Sequence, residues 1–162
     1  MRVRDVPPNG FRSTLLWVYT GAGLFLLALL LSAIVVPDLR VLHSLQAVIY
    51  IAVIVLARRN SPWGYGAGLA IALLWNSMGF FITHLVQRGA VTFWLLLRTG
   101  HAGDLVPMAV TLGAIGHLIL IAATILAMIR FAAEPRKWWK FVGGGALSLA
   151  YFALLVALFG HH

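Results

Sequence analysis

Four side chains that can exchange hydrogen bonds stand deep inside apolar runs: His117, Asn76, Tyr50 and Tyr151. His117 lies twelve residues into the run that begins at Leu105, and Asn76 thirteen residues into the one that begins at Trp63. At roughly 1.5 Å of rise per helical residue, both reach the middle of a bilayer, entering from opposite sides. Tyr50 and Tyr151 fall at similar depth in two further runs. Polar groups at that depth are costly against lipid and turn inward to find partners. They then either tie helices together, at about 1 kcal/mol or less per bond, or line a ligand site. In the second case His117 is its titratable or metal-binding member.

A second polar layer lies nearer one end of the runs. His43, Gln46 and Tyr50 are spaced i, i+3 and i+7 and share one helical face. Asn76, Thr83 and Gln87 form a second stripe, with Ser77 and His84 beside it, and Thr111 sits at comparable height. The other halves of the runs are poorer in such groups, with Ser148 the main exception. The asymmetry predicts a polar vestibule that narrows toward His117. Its ligand-binding set is His117, Asn76, Tyr50, Tyr151, Gln46 and Thr83.

Histidine is also the commonest metal ligand and an axial ligand of haem iron. His43 and His84 meet the depth condition for a bis-histidine haem. A zinc or copper site would draw on His43, His84 and His101. No His-x-x-x-His pair and no cytochrome-like context accompanies them, and His161–His162 reads as a tail or a tag remnant. The absence of cysteine removes thiolate nucleophiles, thiolate metal ligands and disulfides.

Catalytic signatures are missing. There is no Gly-x-Ser-x-Gly elbow, no His-Glu-x-x-His helix and no carboxylate pair. The four acids, Asp5, Asp38, Asp104 and Glu134, all fall in termini or loops. A non-enzymatic role is expected.

The elements that carry these groups follow from length. A helix needs roughly 20 apolar residues to cross about 30 Å of hydrocarbon. Residues 15–36, 41–57, 63–86, 105–129 and 141–159 meet or approach that, and none contains Asp or Glu. Hydrophobic residues make up 62% of the chain, too many for a soluble domain beside these runs. Arg2, Arg4 and Arg12 ahead of the first run resemble a signal-peptide start, but the run is too long and lacks a clear cleavage site, so an uncleaved span is expected.

The net charge of +8 invites a nucleic-acid reading. The basic residues instead punctuate the ends of apolar runs, without a basic, aromatic-interleaved surface, so no nucleic-acid partner is expected. With the N-terminus inside, Arg2, Arg4, Arg12, Arg58, Arg59, Arg130, Arg136, Lys137 and Lys140 are cytoplasmic, against Arg40, Arg88 and Arg98 outside. That is the positive-inside pattern. Residues 89–97 are apolar but too short to span, and read as an interfacial or re-entrant helix on the outer face.

The expected fold is therefore an all-α integral membrane protein over residues 1–162. Five transmembrane helices form one bundle, N-terminus inside and C-terminus outside, with a short helix near 89–97. Small residues at four-residue spacing supply packing seams: Gly64, Gly68 and Ala72; Ala109 and Gly113; Gly116, Ala123 and Ala127; Ala146, Ala150, Ala153 and Ala157.

A bacterial cytoplasmic membrane is the expected location. The leading functional expectation is binding of a small apolar or amphipathic ligand within the bundle, or service as an accessory subunit. Partners are then the bilayer and another membrane protein or a second copy. A haem- or metal-binding redox protein is the alternative, and a channel or transporter for a neutral solute the third.

Overall fold

The computed structural model describes residues 10–101, 105–132 and 137–159. Asp5, Asp104, Glu134, Arg2, Arg4, Arg136, His161 and His162 lie outside them. Six α-helices follow one another: α1 (Phe11–Val35), α2 (Arg40–Arg58), α3 (Pro62–Ser77), α4 (Leu85–Thr99), α5 (Leu105–Ala127) and α6 (Trp138–Phe159). A 3₁₀ turn, Pro37–Leu39, leads into α2, and π-helical turns extend α3 (Met78–Ile82) and α5 (Met128–Ala132). Among the described residues there is no strand.

With these extensions, Phe11–Val35, Pro37–Arg58, Pro62–Ile82, Leu105–Arg130 and Trp138–Phe159 are long and apolar enough to cross a membrane. Leu16, Leu30, Ile34, Val142, Leu147 and Leu158 point outward from them, as contact with lipid requires and contact with water would not favour. The protein is a multi-pass membrane protein.

Neighbour order departs from chain order. Helices α1, α2 and α3 pack in succession, and α5 then inserts between α3 and α1 to close a ring of four. The core inside the ring is built from Val18, Phe25, Tyr50, Val53, Ile71 and Leu120, all buried. Helix α6 lies outside the ring, chiefly on α3, and α4 lies against α5.

Close backbone approach sets the contacts, as expected where lipid gives no hydrophobic drive between helices. A Cβ on Gly21 of α1 would meet the Gly116 carbonyl oxygen and the Leu120 nitrogen of α5, each at 2.7 Å. A Cβ on Gly66 would collide with the Phe141 carbonyl of α6, and one on Gly144 with the Trp63 carbonyl of α3. Ser148 Oγ donates to the Ala67 carbonyl at 3.3 Å and Tyr151 Oη to the Leu45 carbonyl at 3.0 Å, pinning α6 to α3 and α2.

Several expectations change. The first span starts already at Phe11. The third ends at Ile82 rather than at residue 86, because the π turn gives way to a helix break at Thr83 and His84. His84 there takes the left-handed conformation, φ 54°. A side chain in that region costs roughly 1–2 kcal/mol, so the break is imposed by the packing of α4 against α5 rather than by local preference. The short non-spanning helix accordingly runs over Leu85–Thr99 instead of 89–97. At roughly 22 Å it still cannot span.

The alanine row of α6 is also misassigned by spacing alone. Ala146, Ala150, Ala153 and Ala157 are exposed, and α6 packs through Gly144, Gly145, Ser148, Phe152 and Leu155. The small-residue rows of α3 and α5 do face inward.

Candidate functional site

Mid-membrane polarity resolves into one bonded pair and one open cluster. Tyr50 Oη and His117 Nε2 share a buried hydrogen bond of 2.7 Å between α2 and α5. Phe25 of α1 stacks on His117 with ring centroids 3.9 Å apart and lies 4.4 Å from Tyr50. Trp75 of α3 meets Phe25 edge-on at 5.5 Å. Four helices of the ring thus join through one aromatic layer.

On this layer rests a cavity of about 40 Å³. It occupies the half of the bundle away from the N-terminus. Its walls are Phe25, Ala28 and Ser32 of α1, His43 of α2, Trp75 and Asn76 of α3, and Ala109, Gly113 and His117 of α5. Gly79 of the π turn and Val86 of α4 line it as well. A Cβ on Gly79 would stand 2.8 Å from Val86 Cγ2, so the glycine lets the first turn of α4 come down over the site. Helix α4 is held there by contact of Gly89 with Pro107 and Thr111, and by the Thr111 hydroxyl, 3.3 Å from the Val86 carbonyl. A π turn beside a cavity is a common companion of function.

Four buried side-chain atoms have no hydrogen-bond partner among the described residues: His43 Nδ1, Gln46 Oε1, Trp75 Nε1 and Asn76 Nδ2. Three of the four residues line this one cavity. Gln46 shares the helical face of His43 and Tyr50. Each such group costs on the order of 1–3 kcal/mol if left unmet. Native structures hold few of them, and a cluster calls for a partner.

The donor set is specific. The Trp75 indole N–H can only donate, the Asn76 amide nitrogen donates, and Gln46 Oε1 accepts. No charged side chain lines the cavity. Volume is limiting: water needs at least roughly 10–15 Å³ of such space, so the cavity admits a group of a few heavy atoms.

The structure gathers His43, Asn76 and His117 around the cavity, with Gln46 and Tyr50 adjoining. Tyr151 is spent on the Leu45 carbonyl, away from this chamber. Thr83 is exposed; its hydroxyl donates to the Met78 carbonyl at 3.3 Å and accepts from the Leu85 N–H at 3.4 Å, shaping the turn into α4. His84 and His101 are exposed while His43 is 7% exposed, so the three do not face one another from a common shell. Among the described residues no three His, Asp or Glu side chains come together as a metal-binding group.

Trp75 is the site residue that sequence reasoning passes over. Its signal was depth: tryptophan belongs at the headgroup level, and Trp75 stands beside Asn76 in mid-span. Searched against family models, curated proteins and solved structures, the chain has no match in any of the three.

Proposed function

We propose that this multi-pass membrane protein binds a neutral, amphipathic small molecule within its helical ring. The ligand's carbonyl or hydroxyl head occupies the cavity beside Trp75 and Asn76. The observation that carries this reading is the gathering of three unpartnered buried polar groups around one uncharged chamber. Trp75 and Asn76 supply two donors for an acceptor oxygen, and His43 a third polar contact. A charged head is disfavoured, because desolvating an ion without a counter-charge costs several kcal/mol. Given the positive-inside distribution of Arg and Lys, the chain sits N-terminus in, in a bacterial cytoplasmic membrane, with the cavity in the outer half.

The test is mass spectrometry of small molecules that co-purify from native membranes with the wild-type chain and with Asn76→Leu and Trp75→Phe. A neutral species near one-to-one in the wild type and depleted in both variants is the expected result. Identical small-molecule profiles in all three would sink the reading, leaving the polar groups to water.

Two other readings have their own support. The exposed alanine row of α6 presents the close-approach spacing used between transmembrane helices, which favours an accessory subunit meeting another helix there. Purification in mild detergent decides it by whether a second membrane protein accompanies the chain at fixed ratio. The redox reading retains His43, buried with Nδ1 unpartnered. Oxidised and reduced absorbance spectra with metal analysis decide that one, since a Soret band or stoichiometric metal would displace the neutral-ligand proposal.

A further inference from the structure

The cavity shares wall residues with two grooves on the outside of the bundle. A groove of about 130 Å³ runs down the outside of the bundle between α1 and α2. Leu30, Ala33 and Ala47 line it, and so do Leu29 and His43, which are also walls of the central cavity. The partition between the chamber and the groove therefore includes one leucine and one histidine. Both are buried, at 5% and 7% exposure, and the histidine's Nδ1 has no partner among the described residues.

Between α1 and α5, Gly21 and Gly116 bring the backbones into contact, and Gly113 takes Phe25 and Ala28 against its surface. Helix α6 lies on the α2–α3 side. A larger groove of about 290 Å³ lies where α1, α4 and α5 meet, but it shares only Ala109 with the cavity, and the Thr111 hydroxyl that lines it is engaged with the Pro107 and Val86 carbonyls. Between α1 and α2 the equivalent position is His43, a hinged side chain with a free nitrogen.

We infer that the ligand enters sideways from the hydrocarbon between α1 and α2, and that this groove holds its apolar tail while the head lies inside. The inference rests on the neutral-ligand reading above. It specifies the ligand class further: a single-chain lipophilic alcohol or ketone, with one oxygen-bearing end and a tail that stays in the lipid. His43 rotates to admit the head and then bonds it through Nδ1. The Arg40 Nε donates to the Ala33 carbonyl at 3.0 Å and bridges the two helices at the end of the groove, so the passage faces the membrane interior rather than the water.

The experiment uses the full chain in lipid nanodiscs and a C16 alcohol carrying a photoreactive diazirine halfway along its tail, with attachment sites mapped by mass spectrometry. Saturable attachment to Leu30, Ala33 or Ala47, lost in Ala47→Trp and retained in Leu112→Trp, is the expected result. Attachment to Phe93 or Leu112, lost instead in Leu112→Trp, would assign the passage to the other groove and overturn the inference while leaving the cavity proposal standing. A C16 alcohol with the diazirine next to the hydroxyl separates the two failures. If it marks Trp75 or Asn76 while the tail probe never marks α1 or α2, only the sideways route falls. If neither probe attaches saturably anywhere, the inference and the neutral-ligand reading fall together. Each tryptophan variant is checked for an unchanged elution volume and helical content first, and Ala33→Phe replaces Ala47→Trp should the latter not fold.

Discussion

Among the residues, the useful distinction is between polar groups that are spoken for and those that are not. Tyr50 and His117 hold one another at the centre of the aromatic layer. Tyr50→Phe leaves a buried imidazole nitrogen without its partner, and thermal unfolding in detergent is expected to show a loss of about 1–3 kcal/mol. An unchanged unfolding midpoint would mean that the pair contributes nothing to the fold. Asn76 behaves differently, because its amide nitrogen is already unmet. Asn76→Leu conserves volume and removes that donor, so the ligand-free protein is expected to unfold no earlier than the wild type while the co-purifying molecule is lost. Destabilisation by about 1 kcal/mol or more, within the range of an interhelical polar tie, would make Asn76 a structural residue. His117 and Asn76 were both legible in the sequence from depth alone. Which of them was bonded was not, because a partner on another helix is a property of rotation about two helix axes.

At the level of elements, spacing identified candidate packing rows but not which rows pack. Helix α6 carries both a glycine cluster and an alanine row, and the structure buries the first and exposes the second. Gly144→Leu forces a side chain into the Trp63 carbonyl, and its cost is expected to exceed about 3 kcal/mol, the upper end of ordinary overpacking. Ala150→Leu meets no neighbour within the bundle and is expected to leave the unfolding midpoint unchanged. Comparable losses in both variants would place the alanine face in a contact, with lipid or protein, that shapes the fold. The end of α3 offers a second measurement. His84 holds a left-handed turn, φ 54°, that glycine adopts without strain. His84→Gly is expected to raise stability by up to about 1 kcal/mol and to leave metal content unaltered. A drop in bound metal on that change would revive His43, His84 and His101 as ligands.

For the whole molecule, the closed ring of α1, α2, α3 and α5 decides where polarity can gather, and α4, packed on α5, adds Val86 to the cavity wall. Orientation is open to a clean measurement, since the chain has no cysteine of its own. Single cysteines at Asn60 and Thr99 stand in turns or helix ends on opposite sides of the bundle. An impermeant thiol reagent applied to intact cells is expected to label Thr99→Cys and to spare Asn60→Cys. The reverse pattern would invert the bundle and place the cavity in the cytoplasmic leaflet.

Hydropathy, read along the chain, was enough to determine five helices of membrane-spanning length and a non-spanning segment between the third and fourth. Those quantities depend only on distance along a helix, at a fixed rise per residue. Tertiary structure alone decided that α5 inserts between α3 and α1, that Trp75 joins Asn76 at the cavity, that Tyr151 and Thr83 are spent on backbone, and that His43 lines both the cavity and the groove between α1 and α2. Each of these is set by how helices turn to face one another, and the small residues that govern the turning lie on several faces at once. In α3, Gly64 faces α2, Gly66 faces α6 and Gly68 lies against Val53 and Thr124. A helix that can be approached from three sides does not reveal its neighbours in its sequence; the lowest-energy packing of the whole bundle selects them.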